Sequence, residues 1–102
     1  MDDAIYRMLG LAQKAGKILS GNEQVSGGIK KRQGVLLVLT EDCSERTRDE
    51  YTRACERAHI SIKIFGTKER LGQALGKGVR TCALITDKGF GRAIADKIDS
   101  RK

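Results

Sequence analysis

The stretch SGNEQ, Ser20 to Gln24, sets a hydroxyl, a glycine, an amide, a carboxylate and a second amide in a row, just ahead of Val25 and Ile29 at helical spacing. Such a run opens a helix, and the first backbone N–H groups of a helix have no partner within it. They face outward, toward phosphate oxygens or the acceptor edges of bases, and Gly21 carries no side chain to hold a ligand away. Asn22 and Gln24 can pair as donor and as acceptor, while Glu23 can accept from an exocyclic amine or a guanine imino group. The same residues equally describe a plain capped helix start with an acid near the dipole. A second stretch, GKGVRT from Gly76 to Thr81, places Lys77 and Arg80 around Gly78 and Val79, and a third, Lys30, Lys31 and Arg32, closes the helix that SGNEQ opens. Both can contact phosphates; the third can also simply solvate a helix end.

Catalytic constellations do not emerge from the same residues. His59 ends a run of helical character, where a cation near the C-terminus needs no further role. Cys43, Cys55 and Cys82 are odd in number and widely spaced, the usage of structural thiols in a reducing compartment rather than of a metal site. Glu41 and Asp42 follow an apolar run, where α/β enzymes place carboxylates, but they also precede a helix capped at Ser44 and suit its N-terminus. GKG is too short for a phosphate loop of the GxxxxGK[ST] kind, and GFGRA lacks the strand and turn of a dinucleotide site. No catalytic residue, metal site or cofactor is therefore expected. Base stacking is not the main device either, because three of the four aromatics, Tyr6, Tyr51, Phe65 and Phe90, occupy core-like positions.

The elements that must hold these groups follow from periodicity. Asp2 and Asp3 can cap a first helix over about 2–16, with Ile5, Met8, Leu9 and Ala12 on one face and Gly16 as its stop. KILS is a short extended piece, and the second helix ends near Gly34. Val35 to Leu39 is an unbroken apolar run, the pattern of a strand covered on both faces inside a parallel sheet. Ser44 caps a third helix whose buried stripe is Tyr51, Ala54, Cys55 and Ala58. ISIKIF alternates as a strand, Thr67 caps a short helix through Leu75, and VRTCALIT is a further strand. Asp87 opens the last helix, with Phe90, Ala93, Ile94 and Ile98 inward, and the terminal SRK frays. The alternation predicts an α/β fold with right-handed crossovers, helices on both faces of the sheet and function at strand ends and loops.

Composition bounds the partner. With 102 residues, 39% hydrophobic and 32% charged, the chain suits one domain, 1–102. No run approaches the roughly 20 apolar residues of a membrane span, and MDDAIYRMLG is acidic where a secretory leader would be basic, so a cytoplasmic protein is expected. Lys and Arg outnumber Asp and Glu by 20 to 13, a formal charge of +7. A polyanion is the natural partner of that excess, although charge also serves solubility.

Taken together, GKILSGNEQV, GVLLVLTEDCSERT, FGTKERLGQALGK and the apolar strand after them resemble the kink-turn-binding ribosomal-protein family, the L-seven-Ae and L-thirty-e superfamily. LGLAQKAGKILSG and ITDKGFGRAI are most similar to its small bacterial, YlxQ-type branch. The resemblance implies a three-layer α/β/α sandwich with a central mixed four-stranded sheet, no catalysis, and binding of structured RNA such as a kink-turn in ribosomal or other RNA. It implies ribosome association, and a monomer in the absence of RNA is expected. The family's RNA-facing elements fall on Gly21, Asn22, Glu23 and Gln24 and on Lys77, Gly78, Val79 and Arg80. Its Asn-Glu pair lands on Asn22 and Glu23 by literal match, or on Glu23 and Gln24 if the central strand is the anchor. The lysine that follows then falls on Ser26 or Gly27, and Lys30, Lys31 and Lys17 are the cations nearby in sequence. The alternative is a protein-interaction module of a ribosome- or transcription-associated assembly, its basic face meeting an acidic partner.

Overall fold

A computed structural model describes residues 2–101 of the chain. The helices are α1 (Asp2–Lys14), α2 (Asn22–Lys30), α3 (Glu45–Ala58), α4 (Lys68–Ala74) and α5 (Lys88–Asp99), and the strands are β1 (Ile18–Leu19), β2 (Leu36–Leu39), β3 (Ser61–Ile64) and β4 (Cys82–Ile85). Sheet order is β1-β4-β2-β3. β2 pairs parallel with β3, while β4 runs antiparallel to both β1 and β2.

The apolar run at β2 is explained by its position. All four of its residues are buried, with Leu36 and Val38 in one core and Leu37 and Leu39 in the other. The first core holds Ile5, Leu9, Leu71 and Ile94 from α1, α4 and α5, with Phe65 from the segment after β3; the second holds Val25, Ile29, Tyr51 and Cys55 from α2 and α3. The result is the expected α/β/α sandwich around a mixed four-stranded sheet. The inference of a parallel environment for β2 is corrected, since its β4 side is antiparallel. A continuous apolar run reports helical layers on both faces, and that condition is indifferent to strand direction.

Caps account for most boundaries. Ser44, Thr67 and Asp87 accept from the N–H groups of Thr47, Arg70 and Phe90 at the starts of α3, α4 and α5. Gly16 (φ +73) stops α1, which ends at Lys14 rather than at 16. Asp2 and Asp3 lie inside its first turn instead of capping it. α2 ends at Lys30, short of Gly34, because Arg32 (φ 56) turns left-handed and the Gln33 N–H donates back to the Gly28 carbonyl. Arg101 does not fray. Its guanidinium lies 4.9 Å from the Phe65 ring centroid and donates to the Ile64 carbonyl, which holds the end of the chain against β3. Lys102 lies outside the described residues.

Candidate nucleic-acid interface

Antiparallel pairing of β1 with β4 decides which loops meet. Leu19 lies opposite Leu84, so the residues leaving β1 reach the end of the sheet from which β4 starts. There the Arg80 Nε donates to the Ser20 Oγ at 3.3 Å. This bond joins the two stretches that sequence reasoning singles out separately, Gly21 to Gln24 and Lys77 to Arg80.

The start of α2 is an open helix terminus. Gly21 is its N-cap, with φ −78 and ψ 149 and no capping side-chain hydrogen bond. The N–H groups of Asn22, Glu23 and Gln24 have no acceptor among the described residues, the first bond of the helix being Val25 N–H to the Gly21 carbonyl. Those donors and the positive end of the helix dipole face outward. Glu23 and Gln24 are exposed. Asn22 is exposed but anchored, because its Oδ1 accepts from the Tyr51 hydroxyl at 3.4 Å. That bond orients the side chain, leaving its two amide N–H groups and the second carbonyl lone pair to face outward. Burial pushes the Tyr51 hydroxyl up to about 12, so it keeps the proton it donates.

The other half of the edge is a short loop held by its backbone. The Lys77 N–H donates to the Gly72 carbonyl and the Arg80 N–H to the Lys68 carbonyl, so both ends of Lys77–Arg80 are tied to α4. Gly76, at φ +68, makes the turn. Buried Gly72 lies so close beneath the Gly78 carbonyl that a Cβ there would collide with it. Val79 is 56% exposed. Lys77 is fully available to solvent-borne anions, and Arg80 is half-buried against Ser20 and the Val79 carbonyl.

Eight of the eleven expected site residues thus share one edge: Gly21, Asn22, Glu23, Gln24, Lys77, Gly78, Val79 and Arg80. The other three do not join them. Lys17 sits at the far end of β1, where its carbonyl accepts from Thr86, about 10 Å away from Ser20 at strand rise. Lys30 and Lys31 close α2, about 12 Å from its N-terminus. Lys30 lies about 4.5–6 Å along α2 from Ser26 and Gly27, whereas Lys17 is on the other side of β1 from the helix start.

Asp42 also departs from expectation. Its Oδ1 accepts from the Lys68 N–H at the start of α4, not from α3, which Ser44 already caps. Among the described residues, no group of three or more His, Cys, Asp or Glu is placed to hold a metal ion. Sequence reasoning misses three contributors: Ser20 as the partner of Arg80, Tyr51 as the anchor of Asn22, and Gly72 beneath the loop. A glycine inside a seven-residue helix is the available signal for the last.

The edge therefore joins an uncapped helix terminus to a basic loop. The family model described as the ribosomal protein L7Ae/L30e/S12e/Gadd45 family matches residues 3–95. The chain belongs to this family. It is a family of RNA-binding, ribosomal-type proteins rather than enzymes. The chain is 32% identical to the RNA-binding protein YlxQ of Bacillus subtilis over 94 residues, covering 92% of this chain and 94% of that protein, which supports the YlxQ-like branch. It is 33% identical over 87 residues to the large ribosomal subunit protein eL30 of Triticum aestivum, covering 83% of this chain and 78% of that one. Among solved structures, a protein of unknown function from Bacillus halodurans superposes with a TM-score of 0.89 at 33% identity, covering 94% and 97% of the two chains. A 15.5 kDa RNA-binding protein of Giardia lamblia shares the fold, with a TM-score of 0.74 at 16% identity and coverage of 93% and 84%.

Proposed function

We propose that the protein is a non-catalytic RNA-binding domain, 1–102, that recognises a kink-turn or a related internal loop in ribosomal or other structured RNA. It acts in the cytoplasm in association with the ribosome and is a monomer without RNA. The observation that carries this reading is the Arg80–Ser20 hydrogen bond, which sets a basic loop beside the uncapped N-terminus of α2. Asn22, Glu23 and Gln24 then offer amide donors and a carboxylate to base edges, the free N–H groups of the first turn take acceptors, and Lys77 and Arg80 neutralise phosphates. Val79 and Gly78 supply a close, uncharged surface against sugar or base. Membership of a ribosomal-protein family and the name of the Bacillus subtilis relative support the choice of RNA.

The test is a titration with a kink-turn RNA and with a version whose G·A pairs are replaced by Watson–Crick pairs. Tighter binding of the first is expected, and equal binding rejects recognition of the motif. Arg80→Glu should weaken binding tenfold or more, whereas Glu45→Gln at the start of α3 should leave it within twofold. The reverse ranking would move the interface elsewhere.

A further inference from the structure

A second group of cations lies away from the α2 N-terminus. A cleft of about 440 Å³ runs between α2 and α3, with Tyr51 and Ala54 on its floor and Lys30, Arg32, Arg53 and Arg57 around it. Its one acid, Glu50, is bound to Arg46 at 3.1 Å. None of the four cations has an ion-pair partner among the described residues. Like charges gathered without partners repel one another, so such a cluster is an electrostatic footprint for an anion. Arg32 adds to it from φ 56, a backbone conformation that favours glycine, at the residue that closes α2.

The cleft is continuous with the edge described above. Tyr51 lines it, and the Tyr51 hydroxyl holds Asn22 in the first turn of α2. From Asn22 to Lys30 the helix rises about 12 Å, the length of three to four stacked nucleotides at about 3.4 Å each. We propose that this cleft receives an unpaired RNA strand as it leaves the element held at the α2 N-terminus. The phosphates lie on Arg53, Arg57, Lys30 and Arg32, and the bases lie over the apolar floor. An unpaired strand uses both features, because its phosphates need cations and every base has an apolar face. An acidic peptide would satisfy the charge, but continuity with Asn22 favours RNA. The proposal rests on the RNA-binding reading above.

The experiment uses the full chain and three RNAs: a kink-turn with blunt stems, and the same RNA with four unpaired uridines on the 5′ or the 3′ end. Each is titrated from 50 to 200 mM salt. One extension should tighten binding about tenfold at low salt and steepen the slope of log K against log salt by about 0.7 for each phosphate engaged. The double variant Arg53→Gln/Arg57→Gln should abolish that gain while binding blunt RNA within twofold of the parent. These side chains are exposed, and an unchanged urea midpoint confirms that the variant is folded. Blunt binding with no gain from either extension, or a gain that survives the double variant, overturns the cleft alone. A fluorescent Glu-rich peptide that binds the parent but not the double variant, with no gain from RNA extension, overturns it in favour of a protein partner. Failure of blunt RNA to bind overturns the functional reading and this one with it.

Discussion

Gly72→Ala separates the position of the basic loop from its charge. Gly72 is buried in α4, and a Cβ there would lie 2.8 Å from the Gly78 carbonyl carbon, closer still to its oxygen, and 3.3 Å from the Lys77 carbonyl oxygen. These are backbone atoms, so no side chain can swing aside. The carbonyl oxygen sets the demand, and it must retreat by roughly an ångström or more before the contact is tolerable. Overpacking of this kind costs about 1–3 kcal/mol, offset by about 1 kcal/mol from the better helix propensity of alanine. A net loss of about 0–2 kcal/mol leaves a folded protein, and a thermal midpoint lower by up to about 15 °C at 4–8 °C per kcal/mol. The retreat acts on the far end of the loop too, where the Arg80–Ser20 bond spans 3.3 Å and has little slack. A loop displaced in this way carries Arg80 off its RNA phosphate, and a hydrogen bond between charged groups is worth about 1.5–3 kcal/mol, so affinity for the kink-turn RNA should fall roughly tenfold to a hundredfold with no change in net charge. Fluorescence titration at fixed salt reads the affinity, and urea unfolding reads the stability. A folded Gly72→Ala protein that binds RNA within twofold of the parent would refute the idea that this glycine positions the loop.

Three further outcomes follow from particular residues. A Cβ added at Gly27 would meet nothing within 4 Å, so Gly27→Lys should be accommodated, gain about 1 kcal/mol of stability from helix propensity and steepen the salt dependence of RNA binding by about 0.7–0.9. An unchanged salt slope would show that no phosphate passes this turn. Gly21→Asp should raise the urea midpoint slightly, because a carboxylate caps the free N–H groups better than glycine does, yet weaken RNA binding at least tenfold by occupying them with negative charge; tighter or equal binding would count against the open terminus as a site. Burial pushes Tyr51 from 10.0 to about 12 and Cys55 from 9.0 to about 11, so between those values the folded state holds protons that the unfolded chain releases. Their contribution is complete below about pH 9 and is lost as pH rises toward 12. Urea midpoints at pH 8, 10 and 11 should fall in that order, and a midpoint that holds to pH 11 would contradict the burial of these groups.

Much of the edge is legible in the sequence because it depends on local chemistry. Gly21 to Gln24 open a helix by residue type, Gly76 to Arg80 form a glycine-flanked basic loop, and Ser44, Thr67 and Asp87 announce their caps. Asp42 escapes such reasoning because a carboxylate beside one helix start in sequence is in reach of another in space, the Lys68 N–H lying 26 residues on. Lys17, Lys30 and Lys31 are near the edge in sequence, but nearness counts residues and not direction: Lys17 lies before β1 and Lys30 and Lys31 at the far end of α2. Gly27 and Gly28 look alike, each a helix-breaking residue in mid-helix. Space distinguishes them, since a Cβ at Gly28 would stand 2.8 Å from Leu19 and Leu84, where α2 lies close on the sheet, while Gly27 faces open space.

Residue types alone specify the alternation of helices and strands, the two-sided burial of Leu36 to Leu39, the helix starts and the excess of positive charge. These are properties of residue type and period, which act over a few neighbours. Packing of whole elements makes β4 run antiparallel to β1, brings Arg80 to Ser20 across 60 residues of chain, and carries Tyr51 from α3 to hold Asn22. Pairing direction and side-chain reach between layers depend on how whole elements pack, and no local pattern encodes them. SGNEQ acquires a partner surface only when the sheet brings the basic loop beside it.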